Sequence, residues 1–124
     1  MRDAVMKPFK IYIYTKCQTC QKALKFLTSR KIIFFPLPIR ETPPSLQDLR
    51  RMSGYLKGDI RALFNTAGQD YRVMNLKEQL KVMSELEKLT LLSKYGNLIK
   101  RPFVIGEDFG LIGFEETTWR KVFN

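Results

Sequence analysis

The sequence predicts an α/β chain in the order β-α-β, helical block, β-β-α, folded around a mixed sheet. Three observations carry that prediction. A β-branched and aromatic run at 9–14 passes into a stretch of helical spacing and then into a second such run at 31–35. Residues 43–97 carry helical spacing and capping signals throughout. Two short apolar runs, 103–105 and 110–114, are joined by Gly106-Glu107-Asp108-Phe109 as in a hairpin, and an amphipathic stretch follows.

Residues 1–7 read as a lead-in whose start, Met1-Arg2-Asp3-Ala4, lacks the apolar core of a secretion signal. Phe9-Lys10-Ile11-Tyr12-Ile13-Tyr14 then reads as a buried strand. From Cys20 to Arg30, Ala23, Leu24, Phe26 and Leu27 recur on one helical face and leave Lys22, Lys25 and Arg30 outside. A second strand over 31–35 should end at Pro36 and Pro38. Links this short imply a right-handed crossover and a parallel pair.

A change of composition at 40–45 marks the start of the helical block. Ser45 with Asp48 resembles a helix start, and Leu46, Leu49 and Met52 share a face before Gly54 ends it. A short helical pattern covers 59–64, Asn65-Thr66-Ala67-Gly68 reads as a cap and turn, 71–74 as an irregular link, and 76–82 as helical. Ser84 and Glu87 have capping-box spacing. Their helix runs through Leu86, Leu89, Leu91 and Leu92, with Gly96 suited to a left-handed C-terminal position. The last helix, 115–122, opens on two acids and closes on Arg120 and Lys121, matching the helix dipole. Phe34, Phe35, Phe103, Phe109, Phe114 and Trp119 read as core. With no repeat, low-complexity tract or interdomain linker, 1–124 is expected to be one domain.

Both cysteines lie in Tyr14-Thr15-Lys16-Cys17-Gln18-Thr19-Cys20-Gln21-Lys22, where the first strand hands over to the first helix. Thiols two residues apart can close a small disulfide and release it by exchange. A helix starting near Thr19 aims unpaired N–H groups and its positive end at Cys17, and Lys16 and Lys22 push the same way, toward thiolate. Cys17 is therefore the candidate nucleophile and Cys20 the resolving thiol. Zinc requires four ligands, and this chain has two cysteines and no histidine, so a site would have to be shared across a dimer. A static disulfide over so short a loop removes little unfolded-state entropy. A phosphatase-like loop would place an arginine where Ala23 stands. An exchange-active or redox-sensing pair is the favoured reading, with the static disulfide and the shared zinc as its alternatives.

A chain of 124 residues with 44% hydrophobic content can bury about two thirds of its unfolded surface. It holds no apolar run near the roughly 18 residues of a membrane span. A cytoplasmic monomer is expected, and in that reducing setting a close cysteine pair is more often catalytic or sensory than structural. The net charge of +10 is spread along the chain, densest at Arg50-Arg51, Lys100-Arg101 and Arg120-Lys121, without interleaved aromatics. Direct nucleic-acid binding is thus not expected. The charge can steer anionic substrates or acidic partners, or simply keep the chain soluble.

Tyr14-x-x-Cys17-x-x-Cys20-Gln-Lys-Ala, Glu41-Thr-Pro-Pro-Ser, Leu63-Phe-Asn-Thr-Ala-Gly68, Tyr71-Arg72, Leu98-Ile-Lys-Arg-Pro102 and Ile112-Gly-Phe114 resemble the ArsC/Spx family, arsenate reductase-like proteins, over nearly the whole chain. The resemblance implies a thioredoxin-like fold carrying a helical insertion at about 43–97. It implies that Pro102 is cis and faces the cysteines, presenting its neighbours' backbone to a bound thiol or disulfide. Arg101 would then stabilise the Cys17 thiolate or bind an anion such as sulfate, arsenate or the glutathione carboxylate. Arsenate reductases of the family hold the oxyanion with arginines. Arg101 and Arg61 match two of them, while the place of a third, near Gly113, reads Ile-Gly-Phe here. No bound cofactor is implied, and glutathione, a glutaredoxin or a thioredoxin would supply reducing equivalents. Spx-type relatives are instead redox-switched regulators that bind RNA polymerase through the carboxy-terminal domain of its α-subunit. A glycine matters in their contact surface, and Gly54 and Gly58 compete for that place. A thiol oxidoreductase is the first functional expectation and the regulator the second.

Overall fold

The computed structural model describes residues 7–123, so all of the lead-in except Lys7 lies outside the described residues. Strand β1 (Phe9–Ile13) is central. It pairs in parallel with β2 (Phe34–Pro38) and antiparallel with β3 (Phe103–Ile105), and β3 pairs antiparallel with β4 (Gly110–Ile112). The sheet order is β2-β1-β3-β4, the mixed sheet the sequence predicts.

Side chains alternate across a strand, so each strand feeds two cores. Phe9 and Ile11 of β1, with Val104 and Leu111, join Ala23, Phe26, Leu27, Trp119 and Phe123. Helices α1 (Gln18–Ser29) and α6 (Glu116–Val122) therefore cover one face. Tyr12, Phe103 and Ile105 point the other way, into Leu49, Met52, Leu63, Leu89 and Leu92. That second core is covered by α2 (Leu46–Tyr55) and α5 (Glu85–Lys94), together with the short α3 (Gln69–Val73) and α4 (Leu76–Gln79). Single 3-10 turns lie at Ile60–Leu63, Leu80–Val82 and Gly96–Leu98. Among the described residues no helix is long and apolar enough to cross a membrane.

Several local expectations need correction. Strand β2 starts at Phe34, after Lys31 at φ 58, and runs through both prolines, which pair with Ile11 and Ile13. It is an edge strand, where a missing N–H costs no ladder bond. Edge position also leaves Phe35 56% exposed, so it is not core. Helix α2 passes through Gly54 to Tyr55. The supposed link at 71–74 falls largely within α3, which buries Tyr71, and the 76–82 helix tightens from α4 into a 3-10 turn. The Ser84/Glu87 capping box is present and α5 runs through Leu86, Leu89, Leu91 and Leu92 as expected, with Leu86 exposed. Gly96 does not take a left-handed conformation. A Cβ there would collide with the backbone carbonyl of Ile39, so this glycine permits a close approach of two chain segments.

Two links fix the site. Asp48, buried on α2, holds Lys10 of β1 at 2.5 Å and Arg51 at 3.2 Å, and Arg51 also reaches the carbonyls of Gly106 and Glu107 in the β3–β4 turn. Nearer the cysteines, Lys100 N–H donates to Leu63 at 2.7 Å and Asn65 N–H to Leu98 at 2.8 Å, flanking a bridge between Phe64 and Ile99.

Candidate active site

The chain leaves β1 at Ile13 and turns, with Cys17 N–H donating to the Tyr14 carbonyl at 3.0 Å. Cys17 then occupies the N-cap of α1 in extended conformation. Its sulfur does what a serine or aspartate oxygen does at such a position: it accepts the Cys20 backbone N–H, at 3.4 Å. Gln21 braces the turn through its side chain, which donates to the Thr15 carbonyl at 3.1 Å. Both cysteines are free thiols, Cys17 half-buried and Cys20 fully buried.

Their acidities are pushed apart. Burial pushes the Cys17 thiol up, but the N–H and thiol of Cys20 and the hydrogen bond and charge of Arg101 outweigh it and hold Cys17 below the usual thiol value. Cys20 is pushed up to about 12, first by burial and then by the neighbouring Cys17 sulfur. Of the two, Cys17 is thus the thiol that ionises first, and Cys20 stays protonated.

Arg101 stands before Pro102, and the bond between them is cis. Its guanidinium carbon lies 5.1 Å from the centre of the Tyr14 ring, against which Arg40 also rests, at 4.2 Å. The Arg101 Nε is buried without a hydrogen-bond partner among the described residues. An unsatisfied charged donor beside a nucleophilic sulfur is a place for an acceptor atom. Cys17 and Arg101 open into a cleft of about 410 Å³, whose walls include Lys100, Asn65, Phe114 and Glu115. Glu115 caps α6, accepting from the Thr118 N–H at 2.8 Å, and that bond holds its carboxyl below the usual carboxylate range. Among the described residues no three His, Cys, Asp or Glu side chains gather where a metal could sit.

The structure brings Cys17, Cys20 and Arg101 together. Pro102 is buried, and its carbonyl accepts the Gly113 N–H at 2.8 Å. Lys16 is exposed, and support for the thiolate comes from α1 and Arg101 instead. Arg61 is not in this cleft. It lines a separate cavity with Phe64 and Tyr71. Sequence reasoning missed Lys100, Asn65, Glu115 and the cleft-facing edge of Phe114. Lys100 was legible as the neighbour of Arg101, and Glu115 as an acid at a helix start. Asn65 needed the Phe64–Ile99 bridge.

A β-α-β…β-β-α frame with a cysteine pair at its first strand-to-helix turn and a cis-proline entering β3 defines a thioredoxin-like protein of the C-x-x-C kind. Residues 12–122 match the model of the ArsC family, and the chain belongs to that family. It is 42% identical over 110 residues to the uncharacterized protein YusI of Bacillus subtilis (strain 168), covering 89% of this chain and 93% of that one. A crystal structure of an ArsC family related protein from Bacteroides fragilis superposes with a TM-score of 0.87 at 34% identity, covering 96% of this chain and 99% of the other. Similarity extends to the global transcriptional regulator Spx 1 of Lactococcus lactis subsp. lactis (strain IL1403), at 26% identity over 106 residues, 86% of this chain and 81% of that protein.

Proposed function

We propose that this protein is a thiol-disulfide oxidoreductase working in a reducing compartment. The opposed acidities of Cys17 and Cys20 within one helical turn carry the reading. The Cys17 thiolate attacks one sulfur of a disulfide substrate, expels the other as thiolate and forms a mixed disulfide. Cys20 then loses its proton and attacks the Cys17 sulfur. The second substrate thiolate leaves and a Cys17–Cys20 disulfide remains, so two electrons have passed from the pair to the substrate. Consuming the Cys17 thiolate removes one of the causes that raise Cys20, so the resolving step becomes easier once it is needed. An external thiol, glutathione or a glutaredoxin or thioredoxin, returns the two electrons. Arg101, with its unpartnered Nε, holds an acceptor atom of the substrate.

Arsenate is the oxyanion to test in the same cleft, with Arg101 and Lys100 as the cations available to it. Thiol alkylation and mass spectrometry across glutathione redox buffers, with arsenate reduction assayed on the same sample, tests both. A Cys17–Cys20 couple titrating near the cytosolic poise supports the reading, and Cys17→Ser should abolish turnover while Cys20→Ser traps a mixed disulfide. Full turnover without Cys17 overturns it.

The similarity to Spx 1 supports a second reading, a regulator in which the disulfide switches a contact with the carboxy-terminal domain of the RNA polymerase α-subunit. A pull-down with that domain, on oxidised and reduced protein, separates the two. A redox-dependent complex with little turnover selects the regulator.

A further inference from the structure

Arg61 lines a second cavity, of about 250 Å³, which shares no lining residue with the Cys17 cleft. Its other charged lining residues are Lys77, Lys81 and Lys88, contributed by α4, the following 3-10 turn and α5. The rest of its wall is apolar: Phe64 and Tyr71, packed edge to face at 6.3 Å, and Leu80, all buried. Four cations therefore ring a cavity with an aromatic wall.

Among the described residues one of the four has an acidic partner, Lys81, which meets Glu78 at 2.8 Å. Both members of that pair are largely exposed, so it is screened and readily exchanged. Arg61, Lys77 and Lys88 make no ion pair among the described residues. Like charges held together repel, and an anion placed among them relieves that repulsion. One carboxylate would answer one of these cations. A phosphate, with up to two charges and three free oxygens, answers several at once. The small part of Phe64, Tyr71 and Leu80 that reaches the cavity makes its floor apolar, which suits the edge of a ring better than a bare ion. The volume lies below the roughly 300–1,000 Å³ of sites for drug-sized ligands, which limits the occupant to a small molecule.

We propose that the cavity bounded by Arg61, Lys77, Lys81 and Lys88 over Phe64, Tyr71 and Leu80 binds a small phosphorylated ring compound, of the size of an aryl phosphate or a nucleoside monophosphate. The ring packs on the aromatic wall and the phosphate is met by the lysines and the arginine. This proposal is independent of the thiol chemistry.

Calorimetric titration of the full chain at low salt, with phenyl phosphate and adenosine monophosphate in parallel with inorganic phosphate and adenosine, tests it. At least one of the two ring phosphates should bind saturably, about tenfold or more tighter than inorganic phosphate and than adenosine. Affinity should fall as salt is raised. The double variant Lys77→Gln/Lys88→Gln, altered at polar positions outside the core, should lose about tenfold or more in affinity while its urea midpoint and Cys17 alkylation rate stay unchanged. Saturable binding of neither ring phosphate overturns the proposal. So does inorganic phosphate binding as tightly as the ring compounds, or an affinity that the lysine substitutions leave unaltered.

Discussion

In the native reduced protein iodoacetamide should label Cys17 and hardly touch Cys20. At about pH 7.5 an ordinary thiol of pKa about 8.5 is roughly one tenth thiolate. Cys20, pushed up to about 12, is thiolate in about one molecule in 30,000. Against an ordinary thiol the ratio of thiolate fractions is thus about 3,000, and the lowering of Cys17 by the Cys20 N–H and Arg101 acts to widen it. A more basic thiolate is intrinsically more nucleophilic, and with a Brønsted slope of about 0.45 that returns roughly 40-fold to Cys20. A rate difference on the order of 10² survives, before the full burial of Cys20 is counted. Peptide mass spectrometry over a time course should therefore find only about 1% of Cys20 modified when half of Cys17 is. Across a pH series the Cys17 rate should inflect below the ordinary thiol value, and Arg101→Met should move that inflection upward, because removing the guanidinium leaves burial less opposed. Equal labelling of the two thiols, or a Cys17 inflection unmoved by loss of Arg101, would refute the asymmetry on which the proposed chemistry rests.

Stability of the reduced protein should fall in alkali. A Cys20 that ionises in the unfolded chain near 8.5 but natively near 12 leaves the unfolded state with fewer protons, so stability present below the unfolded value is lost as pH rises toward the folded one. By about pH 10 the loss attributable to this thiol is about 2 kcal/mol, read as the excess of the wild-type decline in urea unfolding over that of Cys20→Ala. Gly96→Ala should cost about 3 kcal/mol or more, because the new Cβ meets the Ile39 backbone rather than a movable side chain, and the urea midpoint should fall accordingly. Phe35→Thr, on the open edge of β2, should change stability by less than about 0.5 kcal/mol, whereas Phe103→Ala, fully buried on β3, should cost about 3–5 kcal/mol by the same assay.

The order of elements was legible because it rests on periodicity and capping. The 9–14 run, the Ser84/Glu87 box and the acid-first, base-last final helix all state their local structure in neighbouring residues, and the structure contains β1, α5 and α6 there. Two of the misreadings share a cause: they depended on a neighbour distant in sequence. Whether Pro36 and Pro38 break a strand depends on whether that strand has one partner or two, and among the described residues β2 has only β1. Gly96 fits a left-handed cap or a tight crossing equally well until Ile39 is placed against it. The site divides the same way. Cys17 and Cys20 announce themselves by spacing, while Asn65 and Arg61, four residues apart, end on opposite sides of a bridge that puts one into the Cys17 cleft and the other into the cationic cavity.

The charge around Cys17 bears on which substrates the proposed chemistry serves. Arg101 and Lys100 attract an anion into the cleft, but Glu115 lines it too, and its carboxylate is held ionised by the N–H groups it caps. At Gly113, where the resemblance to arsenate reductases calls for a further arginine, φ is 71 and the neighbouring space is occupied by the Lys100 side chain. Lysine there supplies a point charge rather than the planar fork that grips an oxyanion through two parallel bonds. A multiply charged oxyanion therefore meets two cations and one opposing carboxylate. A disulfide bearing both a carboxylate and an ammonium group meets a complement for each. On charge alone the proposed chemistry should serve a zwitterionic disulfide better than arsenate, and the arsenate arm of the redox-buffer experiment should give the weaker activity.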